Sequence, residues 1–127
     1  MRSPLHLVPL LLAALALTAA DRPTGADELA KQLRGRVPEK PVECIDQHDV
    51  IAVRVIDGTG IVYDEGGRLY VNRPGGAEHL RWDDVLVTRI EGGQLCRLDT
   101  IRLLDSVTRG QRWFVVLGPF TPYRRAG

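Results

Sequence analysis

The sequence predicts a mainly β protein: a small antiparallel barrel or sandwich of six to seven short strands, with a short N-terminal helix after a signal peptide. Three observations carry that reading. Short apolar runs rich in Val, Ile, Tyr and Trp alternate with Gly-rich turns from Val50 to Leu117. Residues 1–20 have the order of a secretory leader. Only two cysteines, Cys44 and Cys96, are present.

The leader comes first. Arg2 supplies a short positive start, and Leu5 to Leu17 form a mostly apolar run interrupted by His6 and Pro9. Thr18, Ala19 and Ala20 then offer the small side chains of a cleavage site, placed after Ala20. The run is shorter than the ~20 residues a spanning helix needs, so no stable membrane anchor is expected in the mature form. With no cysteine at the cleavage site, no lipid attachment is expected either. The product is expected in the periplasm or secreted.

The chain of 127 residues suits one domain and excludes a multidomain enzyme. Lys and Arg number 17 against 16 Asp and Glu, and Arg2 in the leader accounts for the whole difference. A neutral mature chain lacks the basic excess of a non-specific nucleic-acid binder, so no nucleic-acid partner is expected.

Residues 21–41 read as a helix and linker. Thr24 with Asp27 resembles a capping box, Leu29, Ala30 and Leu33 share a face, and Gly35 offers a stop. Pro38 and Pro41 then favour extended backbone. Residues 42–123 form the β domain, with 124–127 a tail. Its runs are Val50–Ile56, Gly60–Tyr63, Arg68–Asn72, Val85–Ile90, Gln94–Leu98, Thr100–Leu104 and Trp113–Leu117. Glycines at 58, 66–67 and 92–93 suggest three hairpins. Trp113 and Phe114, adjacent on a strand, are expected on opposite faces, one of them in the core.

Two cysteines in an exported chain are expected to pair. A Cys44–Cys96 bridge would close a long loop and remove ~4 kcal/mol of unfolded-state entropy. A Cys-x-x-Cys turn, the usual setting of redox chemistry, is absent.

Six segments occur in a telling order: Cys44-Ile45, Arg54 to Asp57, Tyr70 to Pro74, Leu95 to Ile101, Leu104-Asp105 and Leu117 to Phe120. Together they resemble a family of small exported bacterial proteins known only as a domain of unknown function. The likeness spans about residues 43–121; Leu-Cys-x-x-Asp-Thr-Ile and Leu-Gly-Pro-Phe are its specific parts. Family members carry two further cysteines, and both positions are occupied otherwise here. Their joint absence fits a lost second bridge, so the resemblance supports pairing of the remaining two. It implies export and a β fold, and no catalytic residues.

The densest polar cluster is Asp46-Gln47-His48-Asp49. Carboxylate and imidazole at alternating positions of an extended segment are a conceivable metal pair, with His79, Asp83 and Asp84 as distant helpers in metal-assisted hydrolysis. The competing reading is a solvated turn whose carboxylates bond nearby amides. Ser106, the one serine after the leader, lacks the glycines of a nucleophile elbow. Asp99 is read either as a turn residue or as the holder of a backbone network. The expected function is a non-catalytic envelope or secreted module that binds an unknown protein or ligand without a cofactor. The alternatives are a metal-dependent hydrolase using Asp46, His48 and Asp49, and a small secreted inhibitor presenting the Asn72–Arg81 loop.

Overall fold

The computed structural model describes residues 3–4 and 23–127. The leader run and the Ala20 cleavage site lie outside the described residues. One helix, α1 (Gly25–Gln32), is followed by ten strands: β1 (Arg36–Pro38), β2 (Cys44–Asp46), β3 (Ala52–Ile56), β4 (Gly60–Asp64), β5 (Arg68–Asn72), β6 (Val85–Thr88), β7 (Gln94–Cys96), β8 (Thr100–Leu104), β9 (Gln111–Val116) and β10 (Phe120–Arg125). They form three antiparallel sheets with strand orders β1-β10-β5-β4-β3, β2-β7 and β6-β8-β9. The described strands do not close into a barrel, and the arrangement is sandwich-like.

Ten strands replace the expected six to seven because three segments carry no strand signature of their own. β1 and β2 have three residues each, too few for alternation to show. β10 contains Pro122, which argues against a central strand on sequence grounds. Register supplies what pattern does not: Arg36 to Pro38 pair with Arg125 to Tyr123. The segment read as a linker therefore contributes a strand, and part of the tail belongs to its partner.

Two of the three expected hairpins form. β3–β4 turns at Gly58 and β4–β5 at Gly66-Gly67, both with a glycine at positive φ. The third does not. Only a single bridge, Glu91 to Gln94, spans Gly92-Gly93, while β6 pairs with β8 and β7 with β2.

The large sheet is covered on both faces. Ile61 and Tyr63 of β4 point into the space between the sheets, where Ile101, Leu103, Val115 and Phe120 are buried. Val62, between them in sequence, points the other way and joins Leu69, Val71 and Ile56 beneath Leu29 of α1. Burial on both sides is why Gly60–Tyr63 reads as a continuous buried run. The helix that supplies the second cover starts as its sequence suggests. Thr24 Oγ1 accepts from the Asp27 N–H at 3.1 Å, and Asp27 accepts from the Thr24 N–H at the same distance. These Thr24 contacts hold the Asp27 carboxyl below its usual range.

Two long-range ties fix the sandwich. Cys44 and Cys96 face each other across β2 and β7 and are disulfide-bonded, with Cα atoms 4.0 Å apart. The Cys96 N–H donates to the Asp99 carboxylate at 2.7 Å rather than to β2, so Asp99 holds backbone. The second tie is Asn72, wholly buried at the end of β5. Its Nδ2 donates to the Gly118 carbonyl at 2.8 Å and its Oδ1 accepts from the Gly118 N–H at 3.0 Å. One amide thus satisfies both backbone groups of a residue 46 positions away.

Two outcomes follow from these ties. Replacing both cysteines by serine lowers unfolding free energy by about 4 kcal/mol, read as a shifted urea midpoint, because 52 residues of separation no longer constrain the unfolded chain. Asn72→Ala costs about 2 kcal/mol in the same measurement, since the Gly118 amide and carbonyl lose their partners.

Candidate functional site

β3 is the last strand of the large sheet and β6 the first of the three-stranded one, and no ladder joins them. Between these two edges opens a cleft of about 1110 Å³. Val53 and Val55 line one wall, Leu86, Thr88 and Ile90 the other, and Leu95 and Tyr63 lie at its base. Burial pushes the Tyr63 phenol well above its usual range, so it stays protonated. Its ring meets Phe120 edge to face at 5.6 Å, anchoring the cleft to the core.

One end of the cleft is built from α1 and the β3–β4 turn. Gly25 lies so close to the Asp57–Thr59 turn that a Cβ there would overlap it. Glu28, one turn further along the helix, and Asp57 both line the cleft. Asp57 accepts from the Trp82 N–H at 2.6 Å, which brings an indole 73% exposed to the cleft mouth. Asp84 accepts from the Arg81 N–H at 2.8 Å and pairs with Arg112 at 3.6 Å. These carboxylates are held by the backbone that shapes the cleft.

The residues singled out in the sequence fall elsewhere. Asp46 ends β2, and His48 and Asp49 lie in the single 3₁₀ turn that follows. All three are exposed. Asp46 accepts from the His48 N–H at 2.9 Å, which is the turn geometry expected of a solvated segment. The His48 ring lies against Gly93. His79 stacks on Trp113 at 4.3 Å, and Asp83 accepts from the Ser106 hydroxyl at 3.3 Å. Among the described residues no group of three or more His, Cys, Asp or Glu is arranged to hold a metal ion.

Other expectations change in detail. The Asn72–Arg81 loop is not a free projection. Gly75 and Val116 exchange both backbone bonds, at 2.8 and 3.1 Å, and Leu80 is buried. Trp113 and Phe114 do not divide between core and surface. A β-bulge between Leu103 and Leu104 leaves Arg112 without a partner in the register, and both rings stay about half exposed, stacked at 6.2 Å. Arg112 turns inward instead, reaching Asp84 and the His79 carbonyl.

Trp82 and the two open edges are the features of the candidate site that the sequence did not reveal. Strand order creates the cleft, and strand order is not written in any local pattern. The fold and site together define a class: a disulfide-tied antiparallel β sandwich with a cleft between two unpaired sheet edges. Comparison with family models, with curated proteins and with solved structures finds no match for this chain.

Near the cleft, Glu65 gives a pH-dependent prediction. Burial, and then the neighbouring Asp49 carboxylate, raise its carboxyl above the usual range. The folded state therefore holds this proton more tightly than the unfolded chain. The cost of ionising it is absent below the unfolded value and is incurred as pH rises through the folded one. Glu65→Gln should raise the melting temperature relative to the parent at pH 7 and lose that advantage at pH 4.

Proposed function

We propose that this chain is an exported, non-catalytic binding module of the bacterial envelope or secretome, and that the cleft between β3 and β6 is its binding surface. The observation that carries the proposal is the side chains left at the rim. Ile51, Val53 and Trp82 line the cleft with 73%, 46% and 73% of their surface exposed. Three large exposed apolar side chains gathered at one concave feature are characteristic of an interaction site. The disulfide and the doubly covered sheet make that feature rigid, which limits the ordering cost of binding.

Export is supported by the leader-like order of residues 1–20, the Cys44–Cys96 bridge and the resemblance to small exported proteins. The reading is tested in the native host. A photo-crosslinking amino acid placed at Ile51 or Trp82 should give specific adducts in the envelope or culture-medium fraction. The same residue at Val107, which is exposed and not part of the cleft lining, should give none. Adducts at neither cleft position, or equal labelling at Val107, would overturn the reading.

A further inference from the structure

Resting on the reading of the cleft as a binding surface, we infer that its occupant is an extended polypeptide segment. This segment pairs antiparallel with β3 and carries a cationic side chain near its N-terminal end.

The argument starts from the backbone. β3 is bonded on one side only, by β4, so alternate N–H and C=O groups along it point toward the cleft unpaired. Proteins usually guard such an edge with proline, charge, brevity or a bulge. The outer edges of the two larger sheets, away from the cleft, are guarded in that way. β1 has three residues, begins at Arg36 and ends at Pro38. β9 carries the bulge, and its end is bridged by Gly75. β3 has five residues in unbroken register with β4. Its one charged side chain, Arg54, is engaged by Asp64 at 3.4 Å. Valines at 53 and 55 alternate along it. An unguarded, β-branched edge facing an empty slot is the geometry of strand addition.

The shape and charge of the slot specify the guest further. The opposite wall is another edge strand, β6, so the space is elongated and flanked by sheet on both sides. A strand lying there turns alternate side chains toward Tyr63, Leu86 and Leu95 and the others toward solvent. Of the charged groups lining the cleft, Arg54 pairs with Asp64 and Asp84 with Arg112. Glu28 and Asp57 have no basic partner among the described residues; Asp57 follows the end of β3 and holds the Trp82 backbone N–H, and Glu28 is on the helix whose start packs against that turn. Two carboxylates and an indole face attract a cation. All strand pairs among the described residues are antiparallel, and a guest in that orientation brings its N-terminal end to the Asp57 side.

The test uses a bead-bound library of random eight-residue peptides incubated with the disulfide-bonded protein. Enriched sequences should alternate apolar and other residues, with Lys or Arg in the first two positions. The strongest binder is then resynthesised with N-methyl groups at alternate amides, in each of the two phases. The phase that blocks amides facing β3 should weaken binding by about tenfold or more, the loss of roughly two hydrogen bonds. The other phase should bind as the parent peptide does. Bound peptide should also slow hydrogen exchange of the β3 amides. No enrichment, equal loss in both phases, or protection confined to other strands would overturn strand addition. If crosslinks still localise to Ile51 and Trp82, the binding-module reading survives and only the nature of the guest is wrong. If the cleft gives no crosslinks, that reading fails whatever the peptides do.

Discussion

The Cys44–Cys96 disulfide joins residues directly opposed on β2 and β7, and that pairing decides how the neighbouring strands are shared out. β7 pairs with β2, and β6 pairs with β8 rather than closing a hairpin with β7 across Gly92-Gly93. Asp99 consolidates the arrangement by accepting the Cys96 N–H that β2 leaves unbonded. Immediately before it, Leu98 adopts a positive φ and redirects the chain into β8. The bridge and the carboxylate sit where the two-stranded and three-stranded sheets part. The edges of β3 and β6 remain open.

The large sheet tolerates this openness because its stability comes from elsewhere. β4 is buried on both faces, against the intersheet core on one side and Leu29 of α1 on the other. Each such side chain contributes roughly 1.5–3 kcal/mol on burial. Asn72 locks β5 to the Gly118 corner without leaving a buried polar atom unpartnered. A cleft beside a rigid wall is better suited to binding than one lined by mobile loops, since little order must be imposed when a guest arrives. The acidic end of the cleft is equally fixed, because Asp57 is held by the Trp82 amide and packed against the start of α1.

Particular residues show how far the sequence could be read. Thr24 and Asp27 announced the helix start because a capping box is local, with three positions between donor and acceptor. Gly58 and Gly66 announced their hairpins for the same reason. β1 and β10 were illegible, because a three-residue strand and a proline-containing one exist only through each other's register. Asp46, His48 and Asp49 attracted notice as a dense polar cluster, and the structure spends Asp46 on the adjacent turn. Trp82, by contrast, carries no motif. Its exposure at the cleft mouth depends on Asp57, 25 residues earlier in the chain.

The sequence by itself determined the β class, the helix cap, two of the hairpins and the pairing of its two cysteines. Each of these follows from short-range periodicity, turn chemistry or the scarcity of thiols. Tertiary structure alone decided the strand order, the β9 bulge, the joint exposure of Trp113 and Phe114, and the open edges that form the cleft. Those features depend on which distant segments win one another's backbone hydrogen bonds. That competition is settled by burial and register over the whole domain, so no single stretch of sequence encodes it.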